Sequence, residues 1–168
     1  MSRELLYYPD DHLKEECDPI GDPAQWKDLI EEMSPILYQH NGVGLAAPQV
    51  GVPVQLFLLR LDLEEKIHEA YLNPEIIAVD NKETVDEACL SYPGVSVELE
   101  RGQEVHFRAL TPSGKQIERS FEGLLAQCVQ HETDHLHGLS LIDHCDLEQK
   151  MKVNRVIQER LSEENDGA

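Results

Sequence analysis

The stretch QHETDHLHG, residues 130–138, sets His131 and His135 four positions apart with Glu132 directly after the first. On a helix, side chains at i and i+4 share one face with Cβ atoms about 5–6 Å apart. That separation lets two imidazoles converge on one tetrahedral ion at metal–nitrogen distances of about 2.0–2.1 Å. Glu132 projects beside the pair, where it can act as a general base on a water held by such an ion without ligating the ion itself. The plainer alternative is the polar side of a solvated helix. Leu124, Leu125, Cys128, Val129 and Leu136 argue against it, because they make the segment largely apolar, and buried imidazoles need partners. His137 points nearly away from His135 and is not expected to ligate. His12, His40, His68, His106 and His144 read as ordinary surface or core histidines. Asp134 is open between orienting a ligand histidine and pairing with an arginine such as Arg108.

A catalytic site of this kind keeps three protein ligands and one open position. The third residue past Gly138 is Leu141, so no extended downstream ligand pattern follows. Upstream, DEACLSYPG puts Cys89 at the end of an expected strand, a rigid place from which to present a thiolate. The glycines of GVGLAAPQVG allow a peptide backbone to approach closely. The same stretch lacks the GK[ST] ending of a phosphate loop.

Together, GVGLAAPQVG from Gly42, EACLS from Glu87 and QHETDHLHG from Gln130 resemble the peptide deformylase family, whose GxGLAAxQ, EGCLS and QHExDHLxG patterns they follow in order and at similar spacing. The likeness runs from YPD near the start through the last helix. It implies metal ligands Cys89, His131 and His135, with Glu132 as catalytic acid and base. It implies an oxyanion held by the Gln49 side-chain amide and the Leu90 backbone N–H. Substrate backbone is expected around Gly44 and the EACLS segment, where Ala88 replaces the family's usual glycine. Val43, Val85, Leu125, Cys128 and the His131 ring are candidates for the methionine pocket, by analogy and helical geometry. Arg101 is a candidate for the distal peptide backbone or its carboxylate. The implied reaction removes the N-formyl group from formyl-methionyl peptides and releases formate. The implied cofactor is one divalent metal, Fe2+ as the working ion, with Zn2+, Ni2+ and Co2+ also suited to the donor set.

These residues need a scaffold. The chain has 168 residues, enough to bury a core without disulfide staples, and reads as a single catalytic domain over 1–168. Its formal charge of −19 argues against nucleic acid as the specific partner. The four cysteines form no CxxC pair, and the acidic N-terminus has no apolar signal core, so a cytoplasmic protein with no membrane association is expected. Apolar residues at helical spacing predict a helix over 23–40, with a kink or a restart capped by Ser34, because a proline inside a helix costs about 3 kcal/mol or more. VPVQLFLLRLD predicts a buried strand, and EAYLNPEIIAVD and ETVDEACLS two more. Residues 95–121 predict short antiparallel strands with turns at Arg101-Gly102 and at Thr111–Gly114. A helix carries the two histidines, and a last one spans about 147–161 over an apolar stripe of Leu147, Met151, Val156 and Ile157, with 162–168 frayed. The fold class is therefore α+β, antiparallel sheets packed around the H-E-x-x-H helix, with one helix N-terminal and one C-terminal. Lys150, Lys152, Arg155 and Arg160 on the last helix are a docking candidate for the ribosome near the nascent-chain exit, against the plainer reading of a solvated face.

Overall fold

The computed structural model describes residues 3–167. The histidine-bearing helix, α2 (Leu124–Leu136), buries nine of its 13 residues. Its wall is one five-stranded antiparallel sheet whose strands lie side by side in chain order: β1 (Gly44–Ala46), β2 (Leu56–Asp62), β3 (Ile67–Ala88), β4 (Ser96–Leu110) and β5 (Gln116–Glu122). Side chains alternate across a strand, and β2 uses both faces. Phe57 and Leu59 join Tyr71, Phe107 and Val129 beneath α2. Leu56 and Leu58 join Met33 and Leu37 of helix α1 (Lys27–Gln39) on the opposite face. A strand covered on both faces has no polar alternation, which is why LFLL reads as an unbroken apolar run. A third cluster packs Val153 and Ile157 of helix α3 (Leu147–Asp166) against Tyr92, Val97 and Leu99.

Several boundaries differ from the sequence reading, each for a physical reason. The first helical stretch is a 3-10 turn, Pro23–Trp26, followed by α1, which runs through Pro35 without a restart at Ser34. Proline removes an N–H and so frees the carbonyl four residues earlier. Both Pro35 and Glu31 are exposed, so water can satisfy that carbonyl. The two runs before Cys89 are one 22-residue strand, β3; Asn81 adopts φ 54° inside it, while pairing with β4 continues on either side. Helix α3 extends to Asp166 and is held at its start by a reciprocal cap between Asp146 and Gln149. Its buried stripe is Val153 and Ile157, whereas Leu147 and Met151 are 76% and 57% exposed.

Arg101-Gly102 is not a turn but the interior of β4. The Gln130 carboxamide behaves there like a neighbouring strand: its oxygen accepts from the Gly102 N–H at 3.0 Å and its nitrogen donates to the Gly102 carbonyl at 2.9 Å. This pair fixes α2 against the sheet one residue before His131. A Cβ on Gly102 would lie 2.1 Å from Val79 Cγ1, so glycine is required by proximity rather than by turning. Gly102→Ala is expected to destabilise the fold by about 1–3 kcal/mol through overpacking. A lowered urea midpoint at unchanged slope would register it, and an unchanged midpoint would show that Val79 moves aside at no cost.

Candidate functional site

Three elements meet at the end of β3. That strand stops at Ala88 and hands the chain to Cys89. The 3-10 turn Ala47–Val50 presents Gln49. Helix α2 turns His131, Glu132 and His135 inward. Cys89 Sγ lies 3.4 Å from His135 Nε2, which lies 3.2 Å from His131 Nε2. All three donor atoms are buried and lie within 4.8 Å of one another. Around a tetrahedral ion with ordinary bond lengths, neighbouring nitrogens stand about 3.3 Å apart and sulfur about 3.6 Å from nitrogen. The donor set and spacing therefore fit one divalent metal.

A cavity of about 350 Å3 opens onto this cluster. Of the residues singled out in the sequence, Val43, Gly44, Gln49, Ala88 and Leu90 line it, as do Cys89, Cys128, His131 and Glu132. His135 is fully buried behind them. Gly44 approaches α2 so closely that a Cβ there would sit 2.8 Å from both Cys128 Sγ and Glu132 Oε1. Glu132 is 3% exposed, and its Oε2 has no hydrogen-bond partner among the described residues. Burial raises its pKa to about 7, with the opposing charge of His131 outweighed. The Gln49 carboxamide is held at both ends: its oxygen accepts from the Ala46 N–H at 2.9 Å, and its nitrogen donates to Ser91 Oγ at 3.1 Å and faces Cys89 Sγ at 3.7 Å.

Three expected pocket or substrate residues lie elsewhere. Leu125 packs into the core beneath α2. The wall residue is Leu124, since positions 124, 128, 131 and 135 follow one helical stripe and 125 lies about 100° around the helix. Val85 pairs with Leu99 and packs in the third core cluster. Arg101 is 4% exposed and grips Glu87 with two nitrogens at 2.8 and 2.9 Å, so its guanidinium is not available to a peptide. Burying that charge is tolerable only because it is paired and fully hydrogen-bonded.

Glu87 and Ser91 were missed in the sequence. The Glu87 Oε2 atom meets His131 Nδ1 at 2.8 Å, which leaves Nε2 to face the donor cluster. Burial alone would push the Glu87 carboxyl up, but hydrogen bonds from Arg101 and His131 outweigh it and hold it down at about 2. Glu87 is thus an anion that orients a candidate ligand. A signal for it existed: Val85, Glu87 and Cys89 alternate along one side of a strand, so a carboxylate stands on the inward face. Gln127 also lines the cavity, and its nitrogen donates to the Asp86 carbonyl at 3.2 Å.

Known proteins resemble the chain in sequence and in fold. The family model for polypeptide deformylase matches residues 2–151. A peptide deformylase of Hydrogenovibrio crunogenus is 41% identical over 142 residues, covering 84% of each chain. One from Aquifex aeolicus is 39% identical over 149 residues, covering 85% of this chain and 87% of the relative. The crystal structure of a peptide deformylase from Legionella pneumophila superposes with a TM-score of 0.92 at 33% identity, covering 98% of both chains. Matching in sequence over most of its length and in fold almost end to end, the chain belongs to the polypeptide deformylase family.

Proposed function

We propose that Cys89, His131 and His135 hold one divalent metal ion, and that Glu132 is the proton carrier of the reaction. As a deformylase, the protein is a metal-dependent hydrolase that removes the N-formyl group from nascent peptides. When bound, the metal supplies an activated water and polarises the carbonyl. The residues of the chain do the rest. Glu132 takes the proton of the attacking water and returns it to the peptide nitrogen as the C–N bond breaks, because an amine cannot depart as an anion. Its unpartnered buried oxygen is suited to that exchange. The Gln49 amide N–H and the Leu90 backbone N–H share the oxyanion, a contribution of about 3–4 kcal/mol per donor. Glu87 holds His131 in the tautomer that frees Nε2. Val43, Leu124 and Cys128 form the apolar wall against the methionine side chain, with Gly44 and Ala88 flanking the peptide.

The observation that carries this reading is the 3.2 and 3.4 Å spacing of the three donor atoms beside a buried, unpartnered carboxylate oxygen. Ferrous iron is our choice of working metal, from the family resemblance. Four unpaired cysteines suit a reducing cytoplasm, and no described helix is long and apolar enough to cross a membrane. Docking near the nascent-chain exit is assigned to α3, where Lys150, Lys152 and Arg155 are exposed beside Leu147 and Met151. Anaerobic purification followed by elemental analysis and a formate-release assay on formyl-Met-Ala tests the site. About one metal per chain and formate release that falls with chelation are expected; metal-free protein with full activity would overturn the reading.

A further inference from the structure

We propose that Asp134 and His144 are positioning residues for His131, acting through Arg101 and Glu87; this rests on the reading of His131 as a metal ligand. Five hydrogen bonds, in four residue-to-residue links, join the ligand to the surface. His131 Nδ1 meets Glu87 Oε2 at 2.8 Å. Both Glu87 oxygens are held by Arg101, at 2.9 and 2.8 Å. The remaining Arg101 nitrogen, Nη1, donates to Asp134 Oδ2 at 2.8 Å. The same oxygen meets His144 Nε2, also at 2.8 Å.

The chain of contacts narrows from a buried interior to a half-open end. Glu87 and Arg101 are 3% and 4% exposed, whereas the Asp134 and His144 side chains are 19% and 36% exposed. The inner pair is rigid, because a bidentate guanidinium–carboxylate contact admits one orientation. The outer pair sets where that rigid unit sits. Asp134 anchors the free edge of the guanidinium, and His144 anchors Asp134 against solvent. The turn carrying His144, Leu141–His144, is itself fixed: Asp143 accepts from the Ser140 N–H at 2.8 Å, and the Ser140 and Tyr92 hydroxyls meet at 2.7 Å. A histidine on a braced turn, aimed at a carboxylate that already serves a buried arginine, is placed to hold the chain taut. Without its donor, Asp134 turns to water, Arg101 and Glu87 gain play, and the His131 ring loses its fixed angle.

The test compares His144→Phe and His144→Ala with His144→Gln, whose amide N–H can still donate to Asp134. Zinc-loaded proteins are mixed with a chromogenic chelator to time metal release, and kcat and KM are measured on formyl-Met-Ala. Contacts directly behind a ligand are worth about 10–100-fold in metal affinity, and this one lies further out. His144→Phe and His144→Ala are therefore expected to release zinc about 3–10-fold faster and to lower kcat about 3–10-fold, with KM changed less than about twofold. His144→Gln should return both towards the parent values. A purely structural role would lower the melting temperature alone. Parent-like zinc release and kcat in a folded Phe or Ala variant would overturn the proposal. Failure of the ligand reading itself would look different: His131→Ala would retain its zinc.

Discussion

Replacing Cys89 with alanine is expected to give a folded protein that neither retains metal nor releases formate. Zinc held by thiolate and imidazole donors is bound with about 10–16 kcal/mol at neutral pH. A third of that is about 3–5 kcal/mol, and each 1.4 kcal/mol is tenfold in affinity, so loss of the thiolate weakens binding by roughly two hundredfold to several thousandfold. The fold should survive, because Cys89 is one member of a cluster whose bulk comes from Tyr92, Leu99, Leu141 and Ile157. Elemental analysis after gel filtration, with far-ultraviolet circular dichroism as the control for folding, reads the outcome. The experiment also separates the deformylase arrangement from a metallopeptidase that takes its third ligand elsewhere. In such a peptidase the alanine variant would keep its metal, and a stoichiometric ion in Cys89→Ala would sink the ligand assignment made here.

The i, i+4 spacing of His131 and His135 was legible because it depends only on helical period, and an apolar run such as LFLL signals a buried strand by composition alone. What could not be read was pairing over long sequence distances. Arg101 followed by Gly102 looks like a turn in one dimension. In three, Glu87 from β3 and Asp134 from α2 converge on the guanidinium, and Val79 fills the space that a side chain on Gly102 would take. Glycine signals either a turn or a close approach, and local sequence does not distinguish them. The same limit hid His144, whose partner Asp134 stands ten residues away on another element. The pocket stripe was missed by one position: Leu125 and Leu124 are both apolar, and only the rotation of α2 against the sheet decides that Leu124 faces the cavity while Leu125 enters the core.

Glu132→Gln is expected to keep the metal and lose the reaction. Glutamine matches glutamate in length and shape, which matters here because Gly44 leaves no slack: a Cβ on that glycine would already lie 2.8 Å from Glu132 Cγ. Packing and the donor cluster should therefore persist, with the metal content of the parent. The amide cannot accept a proton from water or return one to the departing nitrogen. General acid–base catalysis contributes about 10²–10⁴ in rate, equivalent to about 2.7–5.5 kcal/mol of barrier. A fall in kcat of that size is expected, with KM within about threefold of the parent, because the cavity wall of Val43, Leu124 and Cys128 proposed to meet the peptide is untouched. Glu132→Asp sharpens the argument. It keeps the carboxylate but withdraws it by one methylene, so a proton carrier that must reach two atoms in turn should lose much of its effect even with the acid present. If formyl-Met-Ala were hydrolysed at the parent rate by Glu132→Gln, proton transfer would have to be assigned to another group. The surrounding geometry offers no ready substitute, since the Glu87 carboxylate is fully occupied by Arg101 and His131.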